Sequence, residues 1–174
     1  MNSRISKGYW IWGQFDANST DLINSLYQEI NNKLNGPSFD IHLTISGPFN
    51  YDEEKQKETF KVISSKFNEI DLQLKGIEKT DEFFRSLFID VAQNENLNNL
   101  KDCFESKFNI NSPKYRPHIS LFYGIEDDAT KKEIIRKLKV PKNAIMDKIS
   151  IVKVDEEIKS WEILKSYSLF KLKQ

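Results

Sequence analysis

The only two histidines of this 174-residue chain, His42 and His118, stand in matching surroundings. Ile41-His42-Leu43-Thr44-Ile45 and Pro117-His118-Ile119-Ser120-Leu121 each place a hydroxyl two positions after an imidazole. Apolar residues alternate with the polar ones, so each segment reads as a short strand with one buried face. On a strand, i and i+2 share a face about 7 Å apart, which sets imidazole and hydroxyl side by side. A glycine follows each motif (Gly47, Gly124), and an acid-started, helix-like segment follows each glycine, from Asp52 and from Asp127. The same kit presented twice suggests a two-sided active site. The competing reading is a pair of satisfied structural histidines.

Histidine titrates near neutrality, so one imidazole can act as a neutral base while its partner acts as a charged acid. Opening a cyclic phosphate needs that pair. One ring takes a proton from the attacking water, and the other protonates the departing sugar oxygen across the phosphorus. Thr44 and Ser120 can donate to the non-bridging phosphate oxygens, whose charge grows in the transition state. Rival chemistries fit less well. A catalytic zinc site takes three protein ligands, commonly with two histidines close together on a helix. Here the histidines lie far apart in sequence, and Asp40, which shares the strand parity of His42, is open to three readings: third ligand, ring-orienting carboxylate, or solvated side chain. There is no Gly-x-Ser-x-Gly elbow and no Gly-x-x-x-x-Gly-Lys phosphate loop.

The elements that must position these residues follow from periodicity. Residues 9–15 read as a strand, and a helix capped by Ser19 or Thr20 runs to Gly36-Pro37. The first histidine strand is expected at 41–46 and a helix from Asp52 through Phe67. Strands at 70–78 and 83–91 form a hairpin about Thr80-Asp81, followed by a helix over Leu97–Phe108 and the second histidine strand at 117–123. A helix over Asp127–Lys139 and strands at 145–154 and 162–171 complete the chain. The fold class is therefore α+β: mostly antiparallel sheet, helices on the outer faces, and a groove left to the polar strand faces. The length suits one domain over residues 1–174. Basic and acidic residues cancel at 26 each, which counts against sequence-independent binding to long duplexes but not against a small anionic ligand. Cys103 is the only cysteine and sits at helical spacing, so it reads as a buried helix-face thiol and no intramolecular disulfide is possible. No apolar run approaches a membrane span and no signal peptide is visible, so a cytoplasmic monomer without membrane contact is expected.

With both motifs in place, the sequence resembles the 2H phosphoesterase superfamily, whose signature is a pair of His-x-Thr/Ser motifs on strands of a two-lobed fold. Tyr115-Arg116-Pro117-His118-Ile119-Ser120-Leu121-Phe122-Tyr123-Gly124 is similar to the second motif of the eukaryotic-type cyclic phosphodiesterases. The early Tyr-Trp-Ile-Trp strand, the Phe83-Phe84 strand start and Ser160-Trp161-Glu162 point to the same branch. Ile41 departs from it, standing where members often carry proline. The resemblance implies hydrolysis of a 2′,3′-cyclic nucleotide to a 2′-phosphate, or of ADP-ribose 1″,2″-cyclic phosphate to the 1″-phosphate, with no cofactor and no metal. It assigns His118 as base and His42 as acid, Thr44 and Ser120 to the phosphate, and Tyr123 to the substrate. Parity adds Trp12 and Phe84 as groove-facing candidates. Alternation puts Tyr123 on the Leu121 face, so a strand end or bulge must turn it. Arg85 and Arg116 are candidates for a distal phosphate, against a solvated surface role. The alternatives are a 2H enzyme acting on RNA ends, as 2′,5′-phosphodiesterase, ligase or 3′-end trimmer, and a non-catalytic RNA- or nucleotide-binding module.

Overall fold

The computed structural model describes residues 7–112 and 114–171. Seven strands and four helices follow one another as β1 (Gly8–Phe15), α1 (Ala17–Asn31), β2 (Leu43–Phe49), α2 (Glu53–Ser64), β3 (Ile70–Lys79), β4 (Leu87–Val91), α3 (Glu95–Phe108), β5 (His118–Phe122), α4 (Asp128–Lys137), β6 (Asn143–Val154) and β7 (Glu162–Ser168). Short 3-10 turns occupy Phe83–Arg85 and Ile158–Ser160. All named strand pairs are antiparallel, in the order β1-β2-β5-β4-β3-β6-β7, and β1 also pairs with β6. The long β6 serves two halves: its start pairs with β3 and its remainder with β7, while β1 lies along its other edge. At the opposite side of the ring β2 meets β5 through the register Leu43↔Ile119. The α+β architecture expected from the sequence is the one found.

One face of the strands carries Ile11, Leu43, Ile45, Leu72, Leu87, Ile89, Ile119, Leu121, Ile149 and Ile151. They pack with Ile23, Leu26 and Ile30 of α1, Phe60 and Ile63 of α2 and Leu97, Leu100 and Phe104 of α3. Burying one such side chain is worth about 1.5–3 kcal/mol, which commits this face to the core. The other face keeps a small cluster of its own, Trp12, Val152 and Val154, flanked by Trp10, Trp161 and Ile163.

Each helix starts at an Asp or Asn that accepts from a first-turn amide: Asp16 from Ser19, Asp52 from Lys55, Asn94 from Leu97 and Asp127 from Ala129 and Thr130. Asp52 and Asp127 are where the sequence places helix starts. Ser19 and Thr20 are not the caps of α1. Ser19 is buried and accepts from the Ile145 amide at 2.9 Å, tying the helix to β6, and Thr20 donates to the Phe15 carbonyl at 3.1 Å.

Further boundaries move, and α2 ends at Ser64, short of Phe67. α1 ends at Asn31 rather than at Gly36-Pro37, and α4 ends at Lys137 because Leu138 is extended. The expected strand start at Phe83-Phe84 is a 3-10 turn, because Thr80 Oγ1 donates to the Arg85 carbonyl at 2.6 Å and closes the chain on itself. β7 stops at Ser168, after which Phe170 bridges Asn68 in parallel. Cys103 is only partly buried at the edge of the core.

Candidate active site

The Leu43↔Ile119 register decides how the two motifs meet. Both of these residues are fully buried on the core side, so their neighbours along each strand turn to the groove. Extending the antiparallel register by one residue sets His42 opposite Ser120 and Thr44 opposite His118. Directly opposed side chains lie about 5 Å apart and the diagonal pair, here the two histidines, about 7–8 Å apart. The result is a local two-fold, with each imidazole beside the other motif's hydroxyl. That separation leaves room for a phosphate between the rings.

The same symmetry governs ring orientation. His42 Nδ1 lies 2.6 Å from the Asp40 carbonyl, and His118 Nδ1 lies 3.0 Å from the Arg116 carbonyl. A carbonyl can only accept, so Nδ1 carries the proton in each neutral ring and Nε2 is left as the acceptor. Ring orientation at the first motif thus comes from the Asp40 backbone and not from its carboxylate.

Beyond this the two sites differ. The Trp12 indole lies parallel to the His42 ring, centroids 3.5 Å apart with 6° between planes. His42 is 5% exposed, and burial pushes its pKa down to about 4, against the pull of the Asp40 carbonyl. His118 meets Phe88 edge-on at 5.3 Å. Burial also lowers its pKa, with the Arg116 carbonyl opposing and the Arg85 and Arg116 charges adding to the fall. Both rings are therefore held toward the neutral form in the ligand-free protein.

The structure brings together every site residue expected from sequence. Tyr123 lies just past the end of β5, buried among the aromatic residues beside the two motifs. Its ring stacks on Phe39 at 3.8 Å and its phenol shares a hydrogen bond with Ser120. Burial pushes the Tyr123 pKa up, so the phenol stays protonated. Phe84 reaches the same wall from the 3-10 turn, edge-on to Tyr123 at 5.4 Å, and Ser120 Oγ approaches the Phe84 carbonyl at 3.4 Å.

The centre of this wall is a residue the sequence reading used only as a flank. Trp161 lies 5.9 Å from Trp12, 6.1 Å from Phe84 and 6.0 Å from Tyr123. Phe39 was missed because it sits in the connection before β2, where no periodicity assigns a face. Tyr115 was missed as a support: its hydroxyl donates to the Thr44 carbonyl at 3.0 Å.

Cavities lie on either side of the paired motifs, and His118 is in the lining of one of them. One of about 180 Å³ on the His42 side is lined by Trp12, Phe39, Asp40 and Trp161. One of about 230 Å³ on the other side is lined by His118, Thr44, Arg85 and Arg116 among others. A third, of about 520 Å³ between Tyr27, Asp40 and Lys148, lies apart from both histidines. Among the described residues no three His, Cys, Asp or Glu side chains are grouped to hold a metal ion. No helix among them is long and apolar enough to cross a membrane.

Comparison with solved structures finds the same fold. TT0787 of Thermus thermophilus aligns with TM-score 0.65 at 13% identity over 92% of this chain and 97% of its own. E. coli LigT in apo form aligns with TM-score 0.59 at 12% identity, and LigT complexed with 3′-AMP with 0.62 at 12%, each over 94% of this chain and 98% of its own. Comparison with curated proteins finds no match. The family model for the cyclic phosphodiesterase-like protein matches residues 13–171, which include both histidine motifs and most of the aromatic wall. By that match the chain belongs to the cyclic phosphodiesterase-like family.

Proposed function

We propose that this chain hydrolyses a ribose cyclic phosphate without a metal ion, as a monomer in the cytoplasm. The substrate is a 2′,3′-cyclic nucleotide, opened to the 2′-phosphate, or ADP-ribose 1″,2″-cyclic phosphate, opened to the 1″-phosphate. The observation that carries this reading is the pair of imidazoles, one immediately before β2 and one at the start of the facing β5, each with Nδ1 on the carbonyl two residues earlier and Nε2 left for substrate.

In this mechanism His118 Nε2 takes a proton from water as the water oxygen bonds to phosphorus. His42 Nε2–H gives its proton to the departing ribose oxygen as the P–O bond breaks. Depressed proton affinity makes protonated His42 the stronger acid, and the phosphodiester anion loads it. Thr44 and Ser120 donate to the non-bridging oxygens, with Tyr123 holding Ser120. Trp12, Phe84 and Tyr123, with Trp161, form the aromatic wall against which a base or sugar packs.

The test follows hydrolysis of both substrates in excess EDTA. Turnover should persist, and His42→Ala and His118→Ala should each lose about 10²–10⁴-fold. Loss in EDTA would overturn metal independence. No turnover of either compound by the folded parent would move the reading to RNA ends, with 2′,5′-linked oligonucleotides as the next substrates.

A further inference from the structure

The two-fold that relates the motifs stops at the residues beyond them. On the His42 side the small cavity is aromatic, with one lysine and one aspartate in its lining, Lys159 and Asp40. On the His118 side the cavity lining contains Arg85, Lys101, Lys114 and Arg116 and no carboxylate, and it is continuous with His118 and Thr44. A phosphate bound between the histidines therefore sees neutral ring faces one way and a cluster of cations the other.

Three of the cations are held from outside the lining. Arg85 pairs with Glu82 at 2.7 Å, Arg116 with Asp90 at 3.0 Å and Lys101 with Glu105 at 2.6 Å. Lys101 is 7% exposed, and Glu105 is itself braced by Ser46 at 2.9 Å. These partners fix the side chains in place while leaving the lining itself free of negative charge. Two donors are not used up. Lys114 has no ion pair among the described residues, and the buried Arg85 Nε has no hydrogen-bond partner among them. A buried guanidinium N–H without an acceptor is costly unless something else supplies one.

We infer that this pocket is a subsite for a second phosphate, carried on C5 of the ribose whose cyclic phosphate is opened. The inference rests on the phosphodiesterase reading and narrows its substrate class. A pocket that shares His118 and Thr44 with the reacting centre reaches only the next phosphate along the same sugar. C5 carries that phosphate as a monoester in a 5′-phosphorylated cyclic nucleotide, as a diphosphate in ADP-ribose 1″,2″-cyclic phosphate, and as a diester in an RNA end. A bare nucleoside 2′,3′-cyclic phosphate lacks it and leaves the cations unused. Lys114 and Arg85 are then specificity-determining residues.

The experiment compares 2′,3′-cyclic AMP with the same compound carrying a 5′-phosphate, in EDTA and low salt. The parent is set beside Lys114→Gln and the Lys114→Gln/Arg85→Gln double variant. One or two charge-assisted contacts should favour the 5′-phosphorylated substrate by about tenfold or more in kcat/KM, and the ratio should fall toward one in the double variant. Added salt should shrink it too. A ratio near one in the parent, or a ratio that survives in the double variant, overturns the subsite.

ADP-ribose 1″,2″-cyclic phosphate and a dinucleotide ending in a cyclic phosphate show which carrier fits. Sensitivity of the preferred carrier to the double variant is expected, and preference for none overturns the inference. If nothing is hydrolysed, the phosphodiesterase reading fails separately. Calorimetry of adenosine 2′,5′-bisphosphate against 2′-AMP then decides: tighter bisphosphate binding that the double variant abolishes supports the subsite, and equal affinities overturn it.

Discussion

His42 is in effect a histidine under an indole lid. The parallel stack on Trp12 removes water from the ring, and that loss is the main reason its pKa falls to about 4. His118 is shifted the same way, more openly placed against Phe88. Catalysis by one protonated and one neutral ring draws on the singly protonated free enzyme, whose population peaks between the two pKa values. The pH profile of kcat/KM should therefore be bell-shaped with its maximum below 6.5. With only two histidines, NMR titration of the ring protons reads both groups directly, His118→Asn assigning them. Trp12→Ala admits water to His42, so its pKa should rise toward 6.5 and the profile move to higher pH. A profile unmoved by Trp12→Ala would show that the stack is not what keeps the ring neutral.

At the scale of elements, the connections matter as much as the strands. The segment before β5 carries Tyr115, whose hydroxyl is spent on the Thr44 carbonyl of β2. Burial raises the phenol's pKa, so it remains a donor throughout the working range. Tyr115→Phe should lower stability by about 1 kcal/mol and reduce kcat/KM through Thr44, seen as a fall in Tm with a loss of rate. Gly47, inside β2, has φ 144°, and a Cβ there would stand 2.8 Å from the Trp10 indole. Gly47→Ala combines a left-handed backbone with a clash, and should cost about 1–3 kcal/mol in urea unfolding. The equivalent glycine after the second motif, Gly124, has φ 154° with Phe122 packed where its Cβ would go. Repetition of motif plus glycine is thus a repetition of backbone geometry, which is why it was legible as a pattern. The 3-10 turn at Phe83–Arg85 was not legible, because apolar neighbours suit a strand equally well and only the Thr80 hydrogen bond closes the turn.

For the whole molecule, keeping a neutral imidazole buried links stability to acid. The unfolded chain binds a proton at His42 near pH 6.5, whereas the folded chain refuses it until about 4. A folded pKa below the unfolded one means the stabilisation is complete above pH 6.5 and declines as pH falls toward 4, by about 3 kcal/mol over that window. Urea unfolding of the parent and His42→Asn, in phosphate-free buffer, should show their difference shrinking by about that amount between about pH 7 and pH 4. A constant difference would mean that His42 titrates normally. The closed strand ring makes this coupling global, because β2 and β5 join the two halves at the same residues that form the site.

The candidate site residues and their local frame were readable from the chain alone. Alternation of apolar and polar residues sets His42, Thr44, His118 and Ser120 on the polar faces of two strands, since strand parity is a local property that needs only neighbouring residues. The same local rule supplied the helices capped by Asp52 and Asp127. Packing settled everything that depends on residues distant in the chain. It set the facing register of the two motifs, the indole over His42, the assembly of Trp12, Phe84, Tyr123 and Trp161 into one wall, and the cations gathered beyond His118. No periodicity carries such information, because burial, pKa and charge clustering are fixed by which strands close the ring beside one another, and only the packed chain specifies that.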